Sequence, residues 1–224
     1  MGAVIVYLLP LIVGAALLPT WIILALFLLR GEGGVRKALA FAAGAMMVRL
    51  VQGVLFGYVF GTAADTYGES GSNLITSTLL LVVGIVMLIT ALMKWRKEED
   101  PDAPPPKWLA ILGGLSALQA FGIGALLMAL DVKQWVLTLS AIAVIEQAQL
   151  SHTGNVLTYL LFVVAAQSLV LAPILVSAVT PTHAARMLDA MQGWLERNSR
   201  VIVITVLLIF GVLLLWKGIN GLIG

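Results

Sequence analysis

Long apolar segments alternate with short polar ones along the whole chain. Six apolar runs have the length of a helix that crosses a hydrocarbon core, which takes roughly 20 residues. They occupy 3–29, 38–64, 74–93, 119–147, 155–179 and 201–222. The pattern predicts an all-α integral membrane protein, with six transmembrane helices in a single membrane domain over residues 1–224.

The third apolar run in each half of the chain has a threonine and a glycine at the same spacing. Thr78 precedes Gly84 at the spacing at which Thr205 precedes Gly211. Because each half then holds three spans, an odd number, the second half must be inverted relative to the first, an arrangement typical of transporters. Chance likeness between Leu/Val-rich spans is the alternative. The predicted parts are a first three-helix repeat (1–97), a charged Pro-rich linker (98–107) and a second three-helix repeat (108–224).

The composition excludes a soluble protein and several kinds of chemistry. Apolar residues make up 61% of the chain and charged residues 11%, against roughly 45–50% and 25% in soluble domains. The absence of cysteine excludes a thiol relay, a disulfide framework and a thiolate metal site. The two histidines fall near opposite ends of the spans, and one intramembrane carboxylate is too few for an oxygen-rich cation site. We therefore expect no metal, no cofactor and no enzyme activity.

The basic residues are concentrated in some of the connections between spans and absent from others. Lys and Arg concentrate in 30–37, 94–107 and 186–200, whereas 65–73 and 148–154 contain none. The positive-inside rule then places these three basic connections in the cytoplasm and both termini outside. Since the basic residues do not share one soluble face, nucleic acid is not expected as a partner. Lys217, near the outer end of the last span, is expected to extend to the headgroups.

Three connecting segments have their own character. The linker at 98–107 combines charge with four prolines and predicts an extended, solvated hinge. Residues 108–117 form a lead-in to the fourth span, with Gly113 and Gly114 turning the chain into the membrane. Residues 182–200 predict a short, separate interfacial helix, because their apolar positions recur at helical spacing.

Charged and polar residues lie in the middle of two predicted spans. Asp131, Lys133 and Gln134 fall about 18 Å into the fourth span at 1.5 Å per residue, and Arg49 lies at half depth in the second. Intramembrane charges cost roughly 2.5–3.5 kcal/mol each on insertion scales, so a function is expected of them. The hypothesis is that Arg49 pairs with Asp131 and leaves Lys133 to face a cavity or an anionic ligand.

Two glutamines could join this polar centre. Gln52 and Gln167 could donate further hydrogen bonds to it, although each alone is better explained as a contact between helices. A purely structural centre, in which the charges neutralise one another, is the alternative for the whole group.

The first span is predicted to break at Leu18-Pro19-Thr20, since a proline inside a helix removes one backbone hydrogen bond and clashes with the preceding turn. Trp21 follows this break, and Trp135 follows the charged group of the fourth span in the same way. Broken helices at equivalent places in two inverted halves indicate a transport site, with Pro19 and Thr20 at the break. A kinked helix without a ligand is the alternative.

These residues resemble a known family. The segments that carry the likeness, in chain order, are Gly14-Ala15-Ala16-Leu17-Leu18-Pro19, the Arg-Lys-Ala-Leu-Ala-Phe-Ala-Ala-Gly run ending at Gly44, Pro106-Lys107-Trp108, the Ala-Leu-Asp-Val-Lys-Gln-Trp-Val-Leu run around Lys133, and Trp194-Leu-Glu-Arg-Asn-Ser-Arg200 followed by Gly211 and Gly218. Over its full length the chain resembles the GAP/Sap proteins (glycopeptidolipid- or sulfolipid-addressing proteins) of mycobacteria and related actinobacteria. That family belongs with the LysE-type exporters. Where the family usually has Asn-Pro-Lys in the fourth span, this chain has Asp131, Val132 and Lys133, so only the lysine matches.

The resemblance implies a multi-pass protein of the bacterial inner membrane that exports a small amphiphile or a cell-envelope glycolipid, or assists its export. In that hypothesis Lys133 and Arg49 contact an anionic group, Asp131 balances charge or takes up a proton, and Pro19 opens the first span. The chain has no ATP-binding loop, so an ion gradient or a partner complex would supply the energy.

The alternatives are a non-transporting scaffold that links lipid synthesis to a separate pump, and a LysE-like exporter of amino acids or other small solutes. The expected partners are membrane lipids, the amphiphilic substrate and, for a scaffold, lipid-synthesis or export proteins. Small-residue spacings such as that of Gly53 and Gly57 also leave a homo-oligomer open.

Overall fold

A computed structural model describes residues 2–96, 114–179 and 181–223, and among these residues the only regular structure is helix. The predicted all-α class is confirmed for this part of the chain. The helices are α1 (Gly2–Ala16), α2 (Pro19–Leu29), α3 (Gly34–Arg96), α4 (Ala117–Leu130), α5 (Val132–Gln147), α6 (His152–Val179) and α7 (Pro181–Ile223). The predicted linker at 98–107 and most of the lead-in at 108–117 lie outside the described residues.

Four to six of the predicted spans are present. Four helical segments are long and apolar enough to cross a membrane: Gly34–Val59, Ser77–Arg96, His152–Val179 and Arg197–Ile223. Two bent pairs of shorter helices meet the same criteria together. The α1–α2 pair bends by 51° and the α4–α5 pair by 72°. Counting each bent pair as one broken span gives six, and the chain is a multi-pass membrane protein.

The second and third spans belong to one helical segment, so the predicted connection at 65–73 is helical and the expectation of a loop there is wrong. No proline occurs between Pro19 and Pro101, and therefore nothing removes a backbone donor along α3. The chain nevertheless reverses between the two spans, since both ends of α3 lie beside the same part of α7. Leu195 of α7 shares a core cluster with Ala38, and Arg200 Nη2 donates a 2.8 Å hydrogen bond to the Trp95 carbonyl oxygen.

The predicted interfacial helix at 182–200 is helical but not separate. Helix α7 continues without interruption into the last span, because no proline follows Pro181. The amphipathic character survives where side chains are described, with Trp194 exposed and Leu195 buried.

Exposed indoles mark both ends of the bundle. Trp95 and Trp194 lie near Arg200 at one end, and Trp216 lies at the other, next to Lys217. Amphipathic rings at such positions are typical of membrane–water interfaces. The Lys217 ammonium group sits 3.7 Å from the centre of the Tyr7 ring, so it has a specific partner within the protein at that end.

The buried apolar residues form two cores. One contains α2, the start of α3 and residues of α4, and the other contains α1, the end of α3, α5 and most of the buried face of α7. Both broken spans contribute one helix to each core. Their breaks consequently lie at the boundary between the cores, and this is where the polar residues collect.

Glycines allow close helix crossings. A Cβ atom on Gly44 would lie 2.1 Å from the Phe121 carbonyl oxygen, and one on Gly124 would lie 2.1 Å from the Phe41 carbonyl oxygen, so α3 and α4 touch backbone to backbone. A second crossing joins α3 and α7. There a Cβ on Gly84 would lie 2.8 Å from the Gly211 carbonyl oxygen, and one on Gly211 would lie 3.3 Å from the Gly84 carbonyl oxygen.

Candidate transport site

The two helix breaks lie side by side, although they are more than 100 residues apart in sequence. Trp21 Nε1 donates a 3.0 Å hydrogen bond to Asp131 Oδ2 across a separation of 110 residues. Gln134 Nε2 donates a 3.3 Å hydrogen bond to the Ala15 carbonyl oxygen. Each bond connects a residue next to the first break with one at or next to the second.

The first break is made by Pro19. It is the first residue of α2, where a missing N–H is tolerated, and its ring prevents α1 from continuing through it. Leu18 precedes it with ψ 105°, in the extended region, and provides no side-chain cap. The carbonyl of Ala15, in the last turn of α1, therefore needs a partner from elsewhere, and Gln134 supplies one.

The second break is made by Asp131. Its backbone is extended, with ψ 92°, and its carboxylate caps α5 by accepting hydrogen bonds from the backbone N–H groups of Lys133 (3.1 Å) and Gln134 (3.5 Å). The positive end of the α5 dipole also stabilises this carboxylate. On the other side of the break, Trp135 Nε1 donates a 2.8 Å hydrogen bond to the Ala129 carbonyl oxygen of α4.

Arg49 is fully buried beside the second break. Its Nη2 donates a hydrogen bond to Gln134 Oε1, and its guanidinium carbon lies 5.8 Å from the centre of the Phe162 ring. Tyr159 Oη donates a 2.5 Å hydrogen bond to the Arg49 carbonyl oxygen and packs against Gly53, which has no room for a Cβ. Arg49 makes no hydrogen bond to its predicted partner Asp131. Gln134 connects the two, since its side-chain oxygen accepts from Arg49 and its backbone N–H donates to Asp131.

Several polar atoms around Arg49 have no hydrogen-bond partner among the described residues. They are Nε and Nη1 of Arg49, both polar atoms of the Gln52 side chain, and Oγ1 of Thr138. All three side chains are buried, with exposures of 0%, 2% and 0%. Gln52 lies one turn from Arg49 on α3, and Thr138 lies one turn from Gln134 on α5. A polar, partly unsatisfied seam therefore runs between α3 and α5.

The remaining predicted site residues lie outside this seam. Lys133 is half-buried and contributes its backbone N–H to the cap, and Thr20 is exposed. Gln167 Nε2 donates a 3.5 Å hydrogen bond to the Ala42 carbonyl oxygen, which makes it a link between α6 and α3.

Sequence reasoning missed three residues that complete the centre. Thr138 stands four residues after Gln134 in a helix, a spacing that could have placed the two on one face. Trp21 was noted as following the first break, but its indole N–H was not assigned to Asp131. Tyr159 gave no signal, because a tyrosine in an apolar span is common without any function.

As a chemical unit, the centre is a buried, polar crossing between two apolar cores. It offers several hydrogen-bond donors and a guanidinium cation, and it is reached by two spans that change direction there.

Comparison with known proteins supports the resemblance seen in the sequence. No curated protein and no solved structure matches the chain. Residues 8–220 match the family described as Sap, sulfolipid-1-addressing protein. With nearly its whole length matched, the chain belongs to this family of sulfolipid-addressing proteins.

Proposed function

We propose that this protein is a membrane transporter that moves a small amphiphile or a cell-envelope lipid across the inner membrane, or assists its export, with the polar headgroup passing the site at the two breaks. The observation that carries the proposal is the direct contact between the breaks, through Trp21 to Asp131 and Gln134 to Ala15. A polar centre inside a membrane protein is costly, and broken helices that meet at such a centre are a transporter design.

The proposal includes an inverted 3+3 repeat of LysE-like build, with both termini outside. Two features support it. Gly84 and Gly211, the glycines that end the Thr-to-Gly patterns of the third and sixth spans, meet at one crossing, where each approaches the carbonyl of the other. The first and fourth spans are both broken, and in each a tryptophan follows the break. Trp21 donates to Asp131 in the other break, and Trp135 donates to the Ala129 carbonyl oxygen across its own break. A twofold relation between the halves explains both features.

Headgroup passage also explains why the centre lies between two apolar cores. In this proposal each core closes one end of the route, so that a headgroup in the centre is separated from both aqueous phases. Movement of α1 against α2, or of α4 against α5, would open one end while the other stays packed.

The experiment is the surface content of envelope lipids in the protein's own host, where the only copy carries both Arg49→Ala and Lys133→Ala. We expect these lipids to leave the surface fraction and to accumulate in the inner membrane. The matched control is Arg197→Ala, which removes an exposed arginine from α7. Abundance in the membrane fraction verifies insertion, and normal surface lipid from a correctly inserted double variant contradicts the proposal.

The same strains separate the two alternatives. For a scaffold, favoured by the charged proline-rich sequence at 98–107, a deletion within those residues abolishes surface lipid, whereas the double variant leaves it unchanged. For an exporter of amino acids or other small solutes, the double variant retains its surface lipid and loses solute release.

A further inference from the structure

Among the described residues, no charged group accepts a hydrogen bond from Arg49. Its hydrogen bond goes to a neutral amide, Gln134 Oε1. Asp131 attracts Arg49 through space, but its carboxylate accepts hydrogen bonds from the Trp21 indole and from two backbone N–H groups of α5 and none from Arg49. A buried cation with unpaired donors is costly even when a carboxylate lies at longer range, so an anion bonded directly to Arg49 would stabilise the folded protein.

The unpaired atoms of the seam favour a group that accepts hydrogen bonds. Arg49 Nε and Nη1 and Gln52 Nε2 are donors only, and the Thr138 hydroxyl can donate. Gln52 Oε1 is the single acceptor without a capacity to donate. Ordered water could pair with some of these atoms, but it would not neutralise the guanidinium.

We propose that Arg49, Gln52 and Thr138 bind an oxyanion, namely a sulfate, phosphate or carboxylate group, and that this group belongs to the headgroup of an amphiphile. The assignment to cargo rests on the proposed transport function, whereas binding of the oxyanion does not. Guanidinium suits oxyanions because its planar donors match their geometry. Lys133 is outside this set, since its described contact is made by its backbone.

The test uses the purified full-length chain in nanodiscs of a zwitterionic lipid, with thermal unfolding as the readout. Cholesterol sulfate is compared with cholesterol, which differs only in lacking the oxyanion. We expect cholesterol sulfate to raise Tm by roughly 5–10 °C when it is present at about 100 times its Kd, and cholesterol to produce no such difference. Equal Tm values with the two sterols overturn the proposal.

A second arm identifies the source of the oxyanion. Sodium sulfate is added to nanodiscs without the sulfated sterol, and sodium chloride at equal ionic strength is the control. A shift with cholesterol sulfate alone supports the headgroup assignment. A shift with inorganic sulfate alone overturns that assignment and leaves a site for a free anion.

Variants separate ligand binding from structural support. Thr138→Val and Gln52→Leu each remove polar atoms that lack partners, so the ligand-free Tm should stay the same or rise. The shift caused by cholesterol sulfate should fall by at least half in each, and should be retained in Arg197→Gln. If these variants lower the ligand-free Tm and keep the shift, the seam is structural and the proposal is wrong.

Arg49→Gln should abolish the shift, and Thr138→Val gives the same information if Arg49→Gln does not fold. Normal surface lipid in the strain that carries Arg49→Ala and Lys133→Ala, together with a Tm shift in the unchanged chain, counts against the proposed function alone. Loss of surface lipid in that strain, with no Tm shift in the unchanged chain, counts against the oxyanion site alone.

Discussion

The two helix breaks look alike in sequence position but are built differently. The first is made by a proline and has no cap of its own, because Leu18 offers no side-chain acceptor. The second is made by an acid that caps the following helix, and Trp135 satisfies the preceding one. The second break is therefore complete within its own half of the chain, whereas the first depends on Gln134 from the other half.

Within the proposed transport function, this difference predicts which span moves. A break whose backbone groups are satisfied locally keeps its geometry when its neighbours shift. The α1–α2 break is held by two side-chain hydrogen bonds with the other half, from Trp21 to Asp131 and from Gln134 to the Ala15 carbonyl. Side-chain bonds of this kind can break and form with other partners. We infer that α4 and α5 keep their 72° bend as a fixed element, and that α1 and α2 change their angle.

The largest effect is expected for Gln134→Leu, which removes the residue that connects Arg49, Ala15 and the α5 cap. The variant leaves the guanidinium without its hydrogen bond, and the expected loss in free energy of unfolding is about 3 kcal/mol. Thermal unfolding in nanodiscs measures it. Gln167→Leu is the matched control, since it removes only a weak interhelical bond. Equal losses in the two variants would show that Gln134 has no special place in the centre.

A smaller effect is expected at Asp131, where the two obvious substitutions should differ. Asp131→Ala removes both the cap of α5 and the acceptor of Trp21, and should cost about 1–2 kcal/mol. Asp131→Asn keeps an oxygen in the same place and should cost less than half of that. Chemical or thermal unfolding of both variants tests the comparison.

Export by Asp131→Asn also tests the hypothesis that Asp131 takes up a proton. The asparagine side chain does not take up a proton near neutral pH. Export at the level of the unchanged chain would therefore exclude a proton role for Asp131. Export lost in Asp131→Asn while stability is kept would support one.

The smallest effect on stability, but a clear one on shape, is expected for Pro19→Ala. Restoring the N–H lets α1 and α2 approach one continuous helix, so the 51° bend should decrease. Because the chain has no cysteine, spin labels can be placed through Val6→Cys and Thr20→Cys, both exposed. The distance between the labels should increase.

Pro10→Ala is the control for this measurement, since Pro10 lies inside an unbroken α1. An unchanged distance in Pro19→Ala would show that packing, and not the proline, sets the bend. The inference that α1 and α2 change their angle would then lose its basis.

Sequence reasoning located both breaks because each depends on a local feature. Pro19 cannot continue a helix, and a charged group at the depth of Asp131 must have a reason to be there. The contact between Trp21 and Asp131 could not be found, since no pattern within one span reports on a partner 110 residues away. For the same reason Arg49 was assigned to Asp131 by charge, whereas its hydrogen bond goes to Gln134.

The connection at 65–73 shows a different limit. Its polar residues excluded it from the hydrocarbon core, and a loop seemed to follow. Polarity decides where a segment can lie relative to lipid, but a polar segment without proline can still be helical. The predicted helix at 182–200 is present, but its predicted separation from the last span is wrong, because the boundary between a surface segment and a span need not interrupt the backbone.

The glycine crossings join residues of 1–97 to residues of 108–224 at Gly44, Gly84, Gly124 and Gly211. Each half therefore closes backbone grooves of the other, and we expect neither half to fold alone. A gene divided at the linker would yield working protein only if both pieces were made in the same membrane, and a bulkier residue entering one groove would demand a compensating change in the opposite half.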